Sequence, residues 1–404
     1  MHNTDTAARS VRAVRARRAL TMRGEGPARG EADLLRPLSF MDDALVLTAG
    51  GRIVSVEKFS PAAVPAGCAV RDLGEVTLMP ALTNAHCHLQ LAHLAGRTAW
   101  GRGFTPWLAS MIPLLHEALD EQGIAGEAAA LRDGGTWLVG DYAGCGALLT
   151  GRAASAAEVA YTGFCEWFGF AAPFTDDERP WPPSCRGLMA RAAGLPGTCW
   201  QPCGHALYST HGDVLRDAHA HCRATGGVFS LHLAESPEET ELLCGGRGPL
   251  ADLYAGIVLP EGWRAPGLPP VRLADALGLL GAGTLAIHAV QCDAADCRLL
   301  AERGAAVCLC PRSNEHLAVG TAPVREHMRA GTLLCLGTDG LSSNTDVQVM
   351  GEARWLRERL DVPVAALARM LTVNGAAALG RSGGALSHGM AARWAIWPAD
   401  WDAA

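Results

Sequence analysis

Four histidines and one aspartate occur where short apolar runs of the sequence end. They are His86, His88, His232, His288 and Asp339. Residues i and i+2 of a strand point to the same side, so the imidazoles of His86 and His88 face one way and the Cys87 thiol faces the other. Imidazole nitrogens with one carboxylate oxygen suit zinc or iron(II) and leave a coordination position for water. The set therefore predicts a divalent metal site that activates water near neutral pH.

Glu235 lies just past the apolar run that contains His232. A carboxyl group there could reach a substrate atom without binding the metal, which is the position that a proton shuttle needs. Each histidine taken alone is more often an ordinary core or surface residue, but joint placement at four strand ends favours a metal site. The other zinc deaminase motif, HxE followed by PCxxC, is absent, because Pro202-Cys203 has no second cysteine at that spacing.

The apolar runs alternate with longer helical segments, for example Val214–Ala224 and Ala294–Arg303. Eight of these runs are predicted to be strands: Val76–Leu82, Thr136–Tyr142, Val159–Glu166, Thr198–Pro202, Val228–His232, Thr284–Ala289, Ala305–Leu309 and Thr332–Gly337. Eight βα units in about 300 residues predict an α/β fold, a parallel (β/α)8 TIM barrel. Functional side chains of such barrels collect at the carboxyl ends of the strands, where the predicted ligands stand.

Both ends of the chain are predicted to build a second, smaller domain. Residues 44–56 form two β-rich runs around Gly50-Gly51, which is typical of a hairpin, and Arg393–Trp397 could add a strand to the same sheet. We therefore expect a small β-sandwich domain made from residues 1–75 and 379–404, with the barrel spanning 76–378. The Gly- and Pro-rich segment 244–272 is predicted to be a lid or binding loop.

Composition excludes several classes of function. The 404 residues carry a net charge of −7, so no basic excess favours nucleic acid binding. Lys58 is the only lysine beside 33 arginines, and its position in a polar strand end excludes P-loop, kinase and Schiff-base chemistry. No run of 18 apolar residues predicts a membrane helix. The 14 cysteines contain no CxxC pair and are interpreted as reduced core residues of a cytoplasmic protein. The arginine-rich first 23 residues are interpreted as a tail leading into the first strand.

Three motifs, HLAESPEE, CPRSN and LGTDGLSSN, resemble the amidohydrolase superfamily. The likeness is to the branch that deaminates purine nucleosides and related rings and includes triazine dechlorinases. Within that branch the sequence is most similar to aminodeoxyfutalosine deaminases. The narrower likeness rests on His86-Cys87-His88-Leu89, Gly103-Phe104 with Trp107-Leu108, Trp263 with Pro266-Gly267, and Cys310-Pro311-Arg312-Ser313-Asn314.

The resemblance implies a role for each motif residue. One metal, Zn²⁺ or alternatively Fe²⁺, would be bound by His86, His88, His232 and Asp339. Glu235 would protonate a ring nitrogen, and His288 and Asp339 would orient the attacking water. Relatives with two metals usually bridge them with a modified lysine on strand four, which this chain lacks, so a single metal is implied unless a carboxylate substitutes. Implied or candidate substrate contacts are His205, Arg312, Ser313, Phe104 and Trp107, with Arg97, Arg102, Arg264 and Arg272 as further arginines near the carboxyl face.

The implied reaction is hydrolytic deamination of the adenine ring of a modified nucleoside. The first candidate substrate is 6-amino-6-deoxyfutalosine, an intermediate of menaquinone biosynthesis. Alternatives are a deaminase of S-adenosylhomocysteine or methylthioadenosine, or an amidohydrolase acting on another aminated or chlorinated heterocycle. A non-catalytic barrel scaffold is a more distant alternative, because such relatives have lost ligands that are all present here. The expected partner is a small molecule, without nucleic acid or membrane, and a homodimer is possible.

Overall fold

The computed structural model describes residues 11–170, 180–182, 185, 191 and 194–402. The strands are β1 (Arg12–Leu20), β2 (Phe40–Ala49), β3 (Arg52–Lys58), β4 (Val70–Asp72), β5 (Thr77–Pro80), β6 (Leu82–Cys87), β7 (Thr136–Ala143), β8 (Ala160–Trp167), β9 (Thr198–Gly204), β10 (Phe229–Leu233), β11 (Thr284–His288), β12 (Ala306–Leu309), β13 (Leu333–Leu336) and β14 (Trp394–Ile396). The helices are α1 (Gly30–Leu34), α2 (Phe104–Met111), α3 (Glu121–Asp133), α4 (Ala147–Ala156), α5 (Gly212–Thr225), α6 (Pro237–Gly245), α7 (Pro249–Tyr254), α8 (Pro270–Ala276), α9 (Ala294–Arg303), α10 (Pro311–Leu317), α11 (Val324–Ala330), α12 (Val349–Leu360), α13 (Val364–Leu371) and α14 (Val373–Ala378).

Eight parallel strands form the barrel. β6 to β9 make one four-stranded sheet and β10 to β13 make another, each in chain order. The sheets meet on one side where the backbone N–H of His232 donates to the carbonyl oxygen of His205 at 2.9 Å. They meet on the other side where the N–H of Thr338 donates to the carbonyl oxygen of His86 at 3.0 Å. These bonds close the (β/α)8 barrel that the alternating pattern predicts.

The predicted first barrel strand is wrong. The run Val76–Leu82 covers β5, which belongs to the smaller sheet, and only the first residue of β6, which is the barrel strand. Both strands are buried along their whole length. The apolar pattern of the sequence is therefore continuous across the two strands and does not show where the smaller sheet ends and the barrel begins. The other seven strands lie where the sequence predicts them, with ends that differ by a few residues.

The smaller sheet joins the two ends of the chain. Its order is β14-β5-β1-β2-β3, and β4 pairs with β1. The predicted hairpin is confirmed as β2 and β3, and its turn residues Gly50 and Gly51 have φ of 57° and 75°, a conformation that favours glycine. β14 pairs with β5 at the place predicted for Arg393–Trp397. The described strands here form a single sheet rather than a two-layered sandwich, and the domain boundaries at 75/76 and 378/379 stay predictions.

Four statements made from composition can be compared with the structure. Lys58 is exposed at the end of β3, away from the barrel interior. Arginines of the N-terminal segment, beginning with Arg12, belong to β1. No disulfide joins the cysteines in the part of the chain that the structure describes. In the same part, no helix is both long and apolar enough to cross a bilayer.

Arg369 links the N-terminal segment to the barrel. It lies on α13 and is fully buried. Its guanidinium donates to the carbonyl oxygens of Leu34 and Arg36 at 3.1 and 2.8 Å, and lies 3.4 Å from the carboxylate of Glu25. A buried charge is tolerated only with partners of this kind, so the guanidinium fixes the loop around α1 against the barrel.

Arg369→Leu is expected to lower the free energy of unfolding by about 3 kcal/mol, because it leaves the carbonyl oxygens of Leu34 and Arg36 without this donor. Arg329→Leu is the matched control, because it removes the same charge from an exposed pair with Glu326 and should leave stability almost unchanged. Urea denaturation of both variants measures the difference. Equal losses would contradict this role for the buried guanidinium.

Candidate active site

The predicted ligands meet at the floor of one cavity at the carboxyl end of the barrel. The cavity has a volume of about 390 Å³. His86 and His88 come from the end of β6, and His232 lies on β10. His288 ends β11 and Asp339 follows β13. These residues come together although they are far apart in the sequence, because the parallel strands of a barrel have their carboxyl ends at one face.

Three distances among the four side chains proposed as ligands are short enough for a shared metal ion. His86 Nε2 lies 3.3 Å and His88 Nε2 lies 3.4 Å from Asp339 Oδ1. The Nε2 atoms of His88 and His232 are 3.4 Å apart. Ligands about 2.05 Å from a tetrahedral zinc ion stand about 3.3 to 3.4 Å from one another. The spacing of this donor set therefore fits one divalent metal.

Protonation states also fit a metal. Burial lowers the pKa of His86 to about 3, so its imidazole is neutral at pH 7, the form that binds metals. Burial alone would raise the pKa of Asp339, but the nearby imidazoles of His86, His88 and His288 hold it well below its usual range. Neither ring nitrogen of His86 has a hydrogen-bond partner among the described residues, although both are buried. Orphaned buried nitrogens of this kind are expected where a metal binds.

Two of the proposed ligands, His232 and Asp339, are oriented by hydrogen bonds to neighbouring residues. His232 Nδ1 donates to the carbonyl oxygen of His205 at 2.9 Å, which leaves Nε2 free to bind a metal. Asp339 Oδ2 accepts hydrogen bonds from Ser313 Oγ at 2.7 Å and Ser343 Oγ at 2.6 Å, which leaves Oδ1 toward the histidines. The Cys87 thiol lies 3.4 Å from an Asp141 carboxylate oxygen instead of facing the cavity floor, in agreement with strand alternation.

Glu235 and His288 form the proton-transfer side of the floor. Glu235 Oε1 lies 3.4 Å from His288 Nε2. His288 Nδ1 donates to Asn314 Oδ1 at 2.9 Å, so Nε2 is left as an acceptor. Burial raises the pKa of Glu235 well above its usual value, and the charges of Asp339 and Glu239 raise it further. The raised pKa favours the protonated form of the Glu235 carboxyl, the form that acts as an acid.

Backbone strain is concentrated at the strand ends that carry these groups. Ala234, His288, Ala289 and Asp339 all have positive φ, between 47° and 73°. Such a conformation costs a non-glycine residue about 1 kcal/mol or more. Strain of this kind clusters at functional sites, where the surrounding structure holds the turn.

A family model described as "Amidohydrolase family" matches residues 77–403, which include the whole barrel. The chain belongs to the amidohydrolase family. The 5-methylthioadenosine/S-adenosylhomocysteine deaminase of Halobacterium salinarum is 30% identical over 376 residues, which cover 89% of this chain and 80% of that protein. The aminodeoxyfutalosine deaminase of Deinococcus radiodurans is 34% identical over 161 residues, 38% of each chain.

Among solved structures, Helicobacter pylori aminofutalosine deaminase in complex with methylthio-coformycin superposes with a TM-score of 0.81. The identity is 19%, and the match covers 96% of this chain and 92% of that one. At this identity the likeness shows the fold, which is that of an amidohydrolase barrel. With the family match and the deaminases that are similar over most of the length, this amidohydrolase is a hydrolase of C–N bonds, a deaminase.

The structure brings some of the predicted substrate contacts of this amidohydrolase to the cavity. His205, Phe104 and Trp107 line it. Trp107 is held by a hydrogen bond from Nε1 to the carbonyl oxygen of Ser342 at 2.7 Å. His205 Nδ1 lies 2.6 Å from Ser209 Oγ, which leaves its other nitrogen toward the cavity.

Two predicted contacts are not part of the cavity wall. The Ser313 hydroxyl is fully buried behind Asp339, as described above. Arg312 pairs with Asp346 at 2.9 Å, and its backbone N–H donates to Glu352 at 2.9 Å. Both lie in the first turn of α10, where helical rotation turns neighbouring side chains to different sides. Arg312 is not among the described lining residues, and neither are Arg97, Arg102, Arg264 and Arg272. A substrate contact of Arg312 or Ser313 stays a prediction.

Sequence reasoning missed several cavity residues. Glu166 lies on β8, and its Oε1 is 3.9 Å from His232 Nδ1. Burial raises the pKa of Glu166 to about 8, so this carboxyl is mostly neutral at pH 7. Its position near the end of the third barrel strand is the signal that could have found it. The aromatic residues Phe168, Tyr208 and Tyr254 also line the cavity and carry no motif.

The cavity is polar at the floor and apolar along the wall. The apolar lining residues beyond the floor are Leu91, Leu108, Met111, Ile112, Leu115, Ile257 and Val258, besides the aromatic side chains named above. Two of them stay 45% and 71% exposed, Leu115 and Ile257, which places them at the mouth. No arginine or lysine is among the lining residues that the structure describes. Tyr254, Ile257 and Val258 belong to the segment 244–272, in line with its prediction as a binding loop.

Proposed function

We propose that this deaminase hydrolyses the 6-amino group of an adenine nucleoside with an apolar substituent at its 5′ end. The observation that carries the proposal is the division of one cavity into a polar floor and an apolar wall. The floor offers a metal-binding donor set beside a protonated carboxyl, which is the chemistry for attack of water on a heterocycle. The wall matches a tail whose surface is mostly apolar.

One divalent metal, zinc or iron(II), would be held by His86, His88, His232 and Asp339, and it supplies Lewis-acid activation of water at neutral pH. His288 Nε2 and Asp339 accept hydrogen bonds from the attacking water and orient it toward C6 of the ring. Glu235 donates a proton to N1, and one proton of the water replaces it. The second proton of the water reaches the departing amino group, so a 6-oxopurine and ammonia form.

The remaining cavity residues position the nucleoside. His205 and the neutral Glu166 carboxyl stand beside the floor, where they can hydrogen-bond polar edges of the ring or ribose. The rings of Phe104 and Trp107, whose centroids lie 5.5 Å apart, form one apolar surface against which the nucleoside packs. Covering the ring in this way excludes bulk water, which strengthens the proton transfer from Glu235.

The first candidate substrate is 6-amino-6-deoxyfutalosine, which combines an adenine ring with an aromatic tail. Its support is the partial sequence likeness to an aminodeoxyfutalosine deaminase and the aromatic side chains of the wall. The second candidate is 5′-methylthioadenosine. Its support is that the described lining contains no arginine or lysine, whereas the carboxylate of the first candidate would be stabilised by a basic side chain.

A panel of four nucleosides tests the proposal: 6-amino-6-deoxyfutalosine, 5′-methylthioadenosine, S-adenosylhomocysteine and adenosine. The change in ultraviolet absorbance on deamination gives kcat/KM for each. We expect both apolar-tailed compounds to exceed adenosine by about tenfold or more, because each buried methylene or methyl group contributes about 0.8 kcal/mol. S-adenosylhomocysteine should be weaker than methylthioadenosine, because its zwitterionic tail meets an apolar wall. Adenosine as the best substrate would contradict the tail assignment, and no turnover of any adenine nucleoside would contradict the reaction.

A further inference from the structure

Glu239 is a second buried carboxyl directly behind the proposed proton donor. It lies in the first turn of α6 and is fully buried, outside the cavity lining. Its Oε2 accepts a hydrogen bond from the backbone N–H of Glu235 at 2.7 Å. In the opposite direction, the N–H of Glu239 donates to Ser236 Oγ at 3.1 Å. The turn that connects β10 to α6 is thus held by two reciprocal bonds.

This pair differs from an ordinary capping box in one respect that concerns the site. In a capping box the carboxylate at the third helical position binds the N–H of the cap residue, which here is Ser236. The shortest bond of Glu239 instead goes one residue further back, to the N–H of Glu235 itself. The carboxylate therefore fixes the backbone atom from which the proton donor's side chain extends.

The turn needs such a bond because it is strained. Ala234, immediately before Glu235, has a φ of 53°, and its carbonyl oxygen accepts from the N–H of Gln291 at 2.8 Å. Left-handed backbone at a residue with a Cβ is unfavourable by about 1 kcal/mol and persists only where neighbouring contacts hold it. Release of this turn would rotate the Glu235 carboxyl away from its place 3.4 Å from His288 Nε2.

We propose that Glu239 is a positioning residue that sets the orientation of the Glu235 carboxyl through its backbone. The inference rests on the proposed function, because the cost of losing Glu239 is felt through proton donation by Glu235. This role requires an oxygen that accepts the hydrogen bond from the N–H of Glu235, at the distance that a glutamate side chain spans. The negative charge of Glu239 is not required.

Two substitutions separate reach from charge in the metal-loaded enzyme. Glu239→Gln keeps the length and one acceptor oxygen but removes the charge, so its kcat should stay within about threefold of the wild type. Glu239→Asp keeps the charge but withdraws the oxygens by one methylene, so kcat should fall about 100-fold with KM nearly unchanged, the scale expected for a misplacement near 1 Å. Glu241→Gln, exposed on the same helix, is the control for charge loss and should behave like the wild type.

Melting temperature and metal content of each variant show whether the fold and the metal site are intact. The proposal is overturned if the aspartate variant is as active per metal-loaded chain as the wild type, or if the glutamine variant is the weaker of the two. If the aspartate variant does not fold, hydrogen exchange of the wild type decides: the N–H of Glu235 must exchange as slowly as the amides of β10. Exchange typical of an exposed turn would overturn the proposal.

Glu235→Gln in the same assay distinguishes failure of the positioning role of Glu239 from failure of the proposed function. An inactive Glu235→Gln beside a fully active Glu239→Asp refutes only the positioning role. A fully active Glu235→Gln refutes the proposed function, and the positioning role falls with it.

Discussion

Glu235→Gln is expected to lower kcat by about 1000-fold, within the range that general acid catalysis contributes. The amide keeps the shape of the side chain but cannot deliver a proton to the ring nitrogen. Burial keeps the pKa of the native carboxyl well above its usual value, which favours the protonated form that acts as an acid. Because the carboxyl stands 3.4 Å from His288 and outside the proposed ligand set, metal content should not change.

The measurement pairs steady-state deamination with metal content by mass spectrometry. Glu238→Gln is a close control, since it removes a carboxylate three residues away that does not line the cavity. It should retain wild-type kcat. If Glu235→Gln keeps its metal and more than about a tenth of wild-type turnover, another group supplies the proton. Among the lining residues that the structure describes, Glu166 is then the remaining carboxyl apart from Asp339.

The position of the site could be predicted from the sequence because the barrel imposes it. Alternation of apolar runs and helices predicts parallel strands, and parallel strands in a barrel end at one face. Any ligand at the end of such a run, such as His232 or His288, must then point toward a common centre. The i, i+2 spacing of His86 and His88 needs only strand geometry to place both rings on one side.

Residues beyond the strand ends could not be placed in the same way. Arg312 and Ser313 are adjacent in CPRSN, yet the side chain of Arg312 pairs with Asp346 and that of Ser313 with Asp339. The direction of each side chain depends on the residue at which α10 starts. If that boundary is misplaced by one residue, the predicted direction of every side chain in the helix changes by about 100°. Likewise the apolar run before β6 hides a change of sheet, because strands buried on both faces have no period to read.

Chelation of the metal is the second change with a very large expected effect. Dialysis against dipicolinate should remove nearly all deaminase activity, and one equivalent of Zn²⁺ or Fe²⁺ per chain should restore it. The melting temperature should fall by several degrees, since a metal at about 1000 times its Kd adds about 4 kcal/mol to stability. Activity that survives complete removal of transition metals would contradict the assignment of the histidine and aspartate cluster.

The stoichiometry of the restored enzyme tests the inference drawn from Lys58. A second metal would need Glu166, His205 and His232, whose candidate ligand atoms all lie within 4.8 Å of one another. His232 cannot serve both sites without cost, because its Nδ1 already donates to the carbonyl oxygen of His205. Glu166 is neutral at pH 7 without a metal, with a pKa of about 8, so binding there would also have to displace a proton. We therefore expect activity to be complete at one equivalent. A requirement for two equivalents would contradict the prediction of a single metal.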